Sequence, residues 1–431
     1  MIDSGDENVK LRLRDGNQVC IIGGGPAGSM AALHLLAMSQ EQGLSLKVLI
    51  FEPRVFTRPG PIGCNHCAGI LSSRLQRGLL NLGLSLPDQV IQAQIQAYAL
   101  HLGGEVLRVE QPDPDKRILS VFRGAGPRHL LDSPTASLDG YLLSQACARG
   151  ARHIPHRVRQ VTNDHHPVVK TTPQDFAADL IVLASGVNSR SPLDLAFGYS
   201  PPQTDIMAQD EIPLPTGWPT SEVSVYFQQP HGLIFGALTP KSEYLNVSLL
   251  GKGMTADAIF DFFNVQGLTT EFPSPPVSLC GCNPRIVINK AKRYYGDRWV
   301  AVGDAAATRL YKDGIGSAFL TSKAAMQAAL HRGISRQDFR RGYAPHIQRI
   351  NADNRYGKIL FRLWAFVLNS PPVLEAWIGF ARAETGYGSQ SIIDRILWGM
   401  FTGDEAYGDL LRLSISPAAI NKLWKWVRKS G

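Results

Sequence analysis

Cysteine is scarce in this sequence of 431 residues. Six cysteines in a chain of this length do not make a disulfide framework, and no secretory signal precedes the first predicted strand. We therefore expect a cytoplasmic protein in a reducing compartment. The cysteines are Cys20, Cys64, Cys67, Cys147, Cys280 and Cys282.

The sequence also lacks an apolar run long and clean enough to cross a membrane. Its most apolar stretch, residues 359 to 381, is interrupted by Arg362, by the pair Pro371 and Pro372, and by Glu375. A membrane span needs roughly 20 consecutive, predominantly apolar residues. We therefore expect any membrane contact to be peripheral, from one side.

Charged residues are few, at 19%, and no internal repeat is visible. The 44% hydrophobic residues, 41 Gly and 28 Pro are typical of a globular enzyme rich in turns and unlike a disordered or fibrous chain. Because the chain is too long for one compact core, we expect more than one domain.

Acidic residues are absent from residues 419 to 430, where Lys425 and Arg428 alternate with Trp424 and Trp426. The whole chain carries 44 Lys and Arg against 36 Asp and Glu, a net charge of +8. Tryptophan among cations favours contact of this C-terminal helix with an anionic membrane surface over binding of nucleic acid. The alternative is a basic helix docked on its own protein.

A glycine-rich turn joins the first predicted strand to the first predicted helix. Residues 19 to 22 form a short apolar run typical of a buried parallel strand, and they lead into Gly23-Gly24-Gly25-Pro26-Ala27-Gly28. The next strand, residues 46 to 51, ends at Glu52, which Pro53 follows. This arrangement predicts a Rossmann unit that binds a dinucleotide.

Each part of this motif has a physical role in dinucleotide binding. Gly23 makes the tight turn, Gly25 lets the backbone approach a pyrophosphate, and Gly28 allows close packing of the helix. The helix N-terminus attracts the phosphate charge, and Glu52 accepts from ribose hydroxyls. A carboxylate at this position favours a ribose without a phosphate.

NAD and FAD share this fingerprint, and a second motif favours FAD. Gly303 and Asp304 follow a predicted strand at residues 299 to 302, and Gly314 and Gly316 begin the next helix. In flavoproteins with two dinucleotide folds, such an Asp binds the ribityl chain, and the helix N-terminus faces the flavin, where its dipole stabilises an anionic reduced ring.

The predicted architecture is α/β, with a Rossmann-type FAD-binding domain, an inserted antiparallel-sheet substrate domain and a helical C-terminal region. Alternating runs at 223 to 227, 233 to 238 and 245 to 249 indicate the antiparallel sheet. The predicted boundaries are 1–17 for a flexible leader, 18–199 and 286–337 for the FAD-binding domain, 200–285 for the substrate domain and 338–431 for the helical region.

The sequence resembles the geranylgeranyl reductase family of FAD-dependent oxidoreductases, in the superfamily of aromatic hydroxylases, flavin halogenases and electron-transfer-flavoprotein dehydrogenases. The resemblance covers roughly residues 18 to 330, and it implies a two-dinucleotide-fold flavoprotein that reduces isoprenoid double bonds. It rests on Gly23 to Gly28, Cys67 to Ser72, Leu138 to Leu143, Asp179 to Ser189 and Val302 to Ala306 with the glycines that follow.

The sequence departs from its relatives at several motifs. Hydroxylases of the superfamily carry Asp-Gly where this chain has Ser185 and Gly186, which disfavours a monooxygenase. The halogenase Trp-x-Trp-x-Ile-Pro element is absent, and the tryptophan of the reductase element is missing from residues 233 to 240. A Leu-Tyr-Lys-Asp run, 310 to 313, replaces the proline that follows the Gly-Asp motif in the family.

Two cysteine pairs, at 64 and 67 and at 280 and 282, leave several interpretations open: a metal site, a redox-active dithiol, a catalytic or flavin-lining Cys67, or plain packing. We expect no metal, because the spacing of the second pair is poor for one. The resemblance places Cys67 beside the flavin. His66 is the second candidate catalytic residue, as a proton donor or as a group that lowers a thiol pKa.

Arg123 lies in a glycine-rich segment and is predicted to approach the flavin or a substrate anion, although a surface arginine is the alternative. Residues 90 to 109 are predicted to form a strand paired with 118 to 123. Large apolar residues between 360 and 380 are too many for one helix face, and they are predicted either to cover the core or to roof an apolar lipid tunnel.

The leading functional hypothesis is hydride transfer from reduced FAD to a carbon–carbon double bond of an isoprenoid or other lipid, with a proton from a nearby acid such as the Cys67 thiol. An electron-transfer-flavoprotein dehydrogenase that passes electrons to a quinone is the first alternative, and an FAD monooxygenase is the second. The electron donor stays open between NAD(P)H and a redox partner such as reduced ferredoxin. No second strand-linked Gly-x-Gly-x-x-Gly is visible.

Overall fold

The structure is a computed structural model that describes residues 11–60, 63, 67–127, 136–163, 166–228, 230–269, 280–384 and 391–430. Two residues singled out in the sequence, Cys64 and the candidate proton donor His66, lie outside the described residues.

The strands are, in chain order, β1 Gln18–Ile22, β2 Lys47–Phe51, β3 Ile70–Leu71, β4 Ile91–Ile95, β5 Ala97–Leu102, β6 Glu105–Glu110, β7 Ile118–Val121, β8 Arg152–Ile154, β9 Gln160–Asn163, β10 Pro167–Lys170, β11 Asp175–Ala177, β12 Leu180–Leu183, β13 Gln203–Pro213, β14 Glu222–Tyr226, β15 Leu233–Lys241, β16 Tyr244–Gly251, β17 Arg285–Asn289, β18 Tyr295–Gly296 and β19 Trp299–Ala301. The α-helices are α1 Pro26–Glu41, α2 Ser73–Asn81, α3 Leu138–Ala148, α4 Ala258–Val265, α5 Gly314–His331, α6 Arg336–Gly342, α7 Ala344–Leu368, α8 Pro371–Glu384, α9 Ile392–Thr402, α10 Tyr407–Ser414 and α11 Pro417–Ser430.

The first sheet has the strand order β18-β19-β12-β1-β2-β8, and its strands are parallel except for the pair β18 and β19. The apolar residues of β1 are buried because both faces of the sheet are covered. Helix α1 packs beside α3 and α5, and Phe51 of β2 contacts Phe176 of β11 edge-on at 5.1 Å. The predicted Rossmann-type α/β fold is confirmed.

The second sheet has the order β17-β13-β16-β15-β14-β5-β6, antiparallel except where β14 pairs with β5. The alternating runs predicted at 223 to 227, 233 to 238 and 245 to 249 form β14, β15 and β16. Helix α4 covers part of this sheet, with Phe262 edge-on to Tyr226 at 5.2 Å.

The prediction of one strand at residues 90 to 109 was wrong. Gly103 and Gly104, with φ of +55° and +85°, form a tight turn, so that β5 and β6 make a hairpin and only β4 pairs with β7. Because β5 also pairs with β14, the second sheet draws strands from outside residues 200–285.

The predicted flexible leader, residues 1–17, is partly wrong as well. Residues 11 to 17 pack against the Rossmann-type domain, which contains the first sheet. The backbone carbonyl of Leu11 accepts from the amide of Ile334 at 2.8 Å, and Leu13 is buried. The amide of Gly16 donates to the backbone carbonyl of Ser45 at 2.7 Å.

The helices α6 to α11 form the predicted C-terminal helical region. Tyr343 anchors it to the first sheet by donating from its hydroxyl to the carbonyl of Ala301 at 2.7 Å, and Tyr407 donates to the carbonyl of Leu310 at 2.6 Å. Among the helices of the described ranges, none combines the length and apolar character that a membrane crossing requires.

Candidate functional site

The turn between β1 and α1 depends on two glycines for its shape. Gly23 has a φ of +104°, and a Cβ atom there would lie 2.5 Å from the carbonyl oxygen of Ala184. A Cβ atom on Gly28 would lie 1.8 Å from the carbonyl oxygen of Gly23. The fold itself therefore requires these two positions to be glycine.

Gly25 has a different environment. A Cβ atom there would meet only side chains, at 3.4 Å from Arg123 Nη2 and 3.6 Å from Asp139 Oδ2. Gly25, Pro26 and Ala27 line a cavity at the point where α1 begins. The missing side chain keeps space open before the helix N-terminus, where an anion is favoured.

Glu52 is fixed at the end of β2 by backbone donors. Its Oε2 accepts from the amide of Gly24 at 2.9 Å, and its Oε1 accepts from the amide of Arg54 at 2.9 Å. Glu52 and Pro53 both line the cavity. The carboxylate is thus held by the glycine turn and by its own strand end, in the place predicted for ribose recognition.

The second glycine motif meets the first across the sheet. Gly303 has a φ of +61°, and a Cβ atom there would lie 2.6 Å from the Cβ atom of Ala27. A Cβ atom on Gly314, the first residue of α5, would lie 3.7 Å from Asp304 Oδ1. Asp304 and Gly314 line the same cavity as the α1 turn, so the structure brings together two motifs that are far apart in the sequence.

Gly316 serves helix α5 rather than the cavity wall. Its amide donates to Asp313 Oδ1 at 3.2 Å, and a Cβ atom there would lie 2.2 Å from that oxygen. Asp313 therefore caps the helix, with a φ of +53°. The cavity lining does not include Gly28, Gly303 or Gly316, whereas it includes the other predicted cofactor-binding residues.

Arg123 lies at the junction of the two motifs rather than on the surface. It donates from Nη2 and Nε to the buried Asp139 carboxylate, at 2.8 and 3.1 Å. Burial alone would lower the pKa of Arg123, but the charge and hydrogen bonds of Asp139, with smaller effects of Cys67 and Asp304, raise it above its ordinary value. Burial raises the pKa of Asp304, and Arg123 partly offsets this.

Cys67 lines the cavity, and two hydrogen bonds fix its position. Its Sγ accepts from the amide of Gly69 at 3.4 Å, and its carbonyl accepts from Lys241 Nζ at 2.7 Å. Lys241 also donates to Glu211 Oε1 at 2.6 Å. The buried ion pair therefore supports the loop that presents the thiol.

The cavity has a volume of about 470 Å³ and is lined by both polar and apolar side chains. The polar lining includes residues of the two glycine motifs and four arginines, which form no ion pair with any residue that the structure describes: Arg54, Arg157, Arg190 and Arg285. The apolar lining, which we call the apolar end, comes from β14 and the residue after it, β15, α7 and α9: Val223, Val225, Phe227, Phe235, Ala237, Phe361, Trp364, Leu397, Met400 and Phe401.

Two polar residues of the cavity lining, Lys312 and Thr308, were not predicted from the sequence. Lys312 lines the cavity, donates to the carbonyl of Gly399 at 3.0 Å and lies 4.7 Å from the centre of the Tyr407 ring. Burial, with the nearby charge of Arg309, holds the pKa of Lys312 well below its usual range. The Leu-Tyr-Lys-Asp run, 310 to 313, could have indicated this group.

Thr308 also lines the cavity, and its buried hydroxyl has no hydrogen-bond partner among the described residues. A buried hydroxyl without a partner is costly, so this one is expected to bond a ligand.

We expect Thr308→Val to leave the thermal midpoint of the ligand-free protein unchanged or slightly higher. The variant should weaken FAD binding about fivefold, which corresponds to the loss of one hydrogen bond. Titration of flavin fluorescence and a thermal melt test this, and unchanged FAD affinity would contradict it.

No family model matches the sequence, and a search of curated proteins found no match. Solved structures do match. A geranylgeranyl bacteriochlorophyll reductase-like protein from Thermoplasma acidophilum is 15% identical with a TM-score of 0.62, over 96% of this chain and 100% of that chain. A flavoprotein/dehydrogenase from Cytophaga hutchinsonii is 17% identical with a TM-score of 0.61, over 92% and 98%.

A flavin-dependent halogenase is similar as well, at 16% identity and a TM-score of 0.57, over 96% of this chain and 78% of that chain. These likenesses span both sheets and the helical region. They confirm the resemblance drawn from the sequence at the level of the fold. The chain therefore shares its fold with a flavoprotein/dehydrogenase and a flavin-dependent halogenase.

Proposed function

We propose that this chain is an FAD-dependent oxidoreductase that reduces a carbon–carbon double bond of an isoprenoid or other lipid-like substrate. The observation that carries the proposal is the lining of the cavity, which combines residues of the two glycine motifs with a set of apolar and aromatic side chains. Pockets that bury an apolar ligand are lined in this way, with a few polar groups at the reacting end.

The residues present fit FAD. Gly25 leaves space before the N-terminus of α1, and the four cavity-lining arginines without ion pairs among the described residues match a pyrophosphate. Glu52 lines the cavity and would accept from ribose hydroxyls, and Asp304 with Thr308 offers polar atoms beside the start of α5. When bound and reduced by the external donor, FAD would supply two electrons as a hydride.

Cys67 is the group proposed to supply the proton. When hydride adds to one carbon of the double bond, the neighbouring carbon takes a proton from the thiol, which regains it from water. Cys67 lines the same cavity as Asp304 and the apolar side chains of Ile70 and Phe235. Lys312 is a second titratable group in the cavity lining.

The test uses the chain loaded with FAD, reduced by dithionite without oxygen and mixed in a stopped-flow instrument with geranylgeraniol in detergent. We expect reoxidation of the flavin in proportion to the double bonds saturated. Cys67→Ala is expected to keep FAD and to slow this reoxidation by about 10²-fold or more, the usual size of an acid's contribution.

Lys312→Met is the matched comparison, because it removes another titratable group from the same cavity. A wild-type rate in Cys67→Ala would refute the role of the thiol, and together with slow reoxidation in Lys312→Met it would transfer the acid's role to Lys312. If quinone, and no prenyl lipid, reoxidises the flavin, the electron-transfer alternative holds. If oxygen does so through a flavin adduct, the monooxygenase alternative holds.

A further inference from the structure

Helix α7 presents large apolar side chains on two opposite faces. Phe361 and Trp364 line the apolar end of the cavity. Ile359, Leu363 and Phe366, spaced by four and three residues, lie on the other face and are 43%, 51% and 64% exposed. We call the second group the α7 ridge, and an exposed ridge of this size indicates an interaction surface.

The α7 ridge is bordered by positive charge. Arg355 and Arg362 are exposed on the same face, since they lie four residues before Ile359 and Phe366. Neither arginine forms an ion pair with a residue in the described ranges. No acidic residue is exposed on α7 itself. Apolar and cationic side chains on one helix face are typical of contact with an anionic membrane surface.

The two tryptophans of the C-terminal helix α11 differ in their environment: one packs on the protein and the other is exposed to solvent. Trp426 packs on Phe380 of α8, with ring centres 6.1 Å apart. Trp424 is 58% exposed, and the guanidinium of Arg428 lies 5.4 Å from the centre of its ring. Part of α11 is therefore docked on its own protein, and its exposed face carries the same combination of tryptophan and cation as the membrane-binding pattern.

We infer that the α7 ridge, with Arg355 and Arg362, docks on the surface of an anionic lipid bilayer and brings the apolar end of the cavity to the membrane. The inference rests on the proposed function, because one helix would contact both the bilayer and a lipid substrate in the cavity. A symmetric contact with a second copy would place the arginines of the two ridges against each other, which is unfavourable.

The first experiment is flotation of the FAD-loaded chain with vesicles of phosphatidylcholine alone and of phosphatidylcholine mixed with phosphatidylglycerol. We expect binding to the mixed vesicles that weakens as salt is raised. The double variant Leu363→Glu with Phe366→Glu is expected to bind at least about tenfold more weakly, since two large apolar side chains no longer enter the interface. Arg355→Gln with Arg362→Gln should lose the preference for phosphatidylglycerol.

The matched control is Leu195→Glu with Val265→Glu, which changes two side chains that are 98% and 54% exposed outside α7. It should bind vesicles like wild type. The flavin spectrum and thermal midpoint check that each variant is folded. Equal binding by the ridge variant and the control, absence of binding, or a wild-type dimer that the ridge variant abolishes would overturn the inference. Reoxidation by geranylgeraniol in detergent should persist in the ridge variant, which separates this result from a failure of the proposed function.

Discussion

Replacing Lys241 with Met is expected to lower the free energy of unfolding by about 3–5 kcal/mol, because it leaves a buried carboxylate without its partner. Lys241 and Glu211 have side chains only 1% and 2% exposed, and their charged atoms are 2.6 Å apart. The Lys241 ammonium also bonds the carbonyl of Cys67 at 2.7 Å. Urea unfolding of the ligand-free protein measures the change.

The double variant Lys241→Met with Glu211→Gln is the control for this prediction. It removes both charges, so most of the lost stability should return, since paired buried charges contribute little beyond an apolar replacement. Both variants should also change the rate at which the Cys67 thiol reacts with a soluble disulfide, because both remove the hydrogen bond from Lys241 to the carbonyl of Cys67. A loss below about 1 kcal/mol in the single variant, the size typical of an exposed pair, would show that the pair is accessible to water.

Replacing Gly25 with Val is expected to abolish FAD binding, with a loss of affinity of at least about 100-fold, while the protein stays folded. A β-branched side chain would fill the space before the N-terminus of α1, where backbone must approach a pyrophosphate. The contacts at this position are the side chains of Arg123 and Asp139 and no backbone atom. Flavin fluorescence titration measures affinity, and circular dichroism with a thermal melt measures folding.

Gly28→Val provides the contrast. Its Cβ atom would lie 1.8 Å from the carbonyl oxygen of Gly23, so this variant should lose the fold itself as well as FAD. The account would be wrong if Gly25→Val bound FAD like wild type. It would also be wrong if both variants unfolded equally, since Gly25 would then be a structural position like Gly28.

Much of the first domain could be predicted from the sequence because its signals are local. The apolar run at 19 to 22, the glycine turn and Glu52 after the next strand all lie within one βαβ unit. The second sheet was predicted in type, since period-two alternation indicates antiparallel strands with one buried face. Its full membership was not predictable, because the parallel pairing of β5 with β14 joins segments far apart in the chain.

Site residues that belong to a local sequence motif could be predicted. Those whose role depends on tertiary packing could not. Glu52 and Asp304 follow strands, and their spacing alone places them at the carboxyl ends of the sheet. The partner of Arg123 and the unsatisfied hydroxyl of Thr308 arise from burial that no local pattern reports. The two faces of α7 follow from helical spacing, but which face meets the cavity depends on how α7 packs.

The most direct test of the central claim is titration of the ligand-free chain with FAD, followed by flavin fluorescence and the visible spectrum, beside Gly25→Val and Thr308→Val. The account predicts saturable binding of one FAD per chain, a modest loss in Thr308→Val and no binding in Gly25→Val. Absence of a spectral change on adding FAD, or binding that is the same in all three proteins, would contradict it.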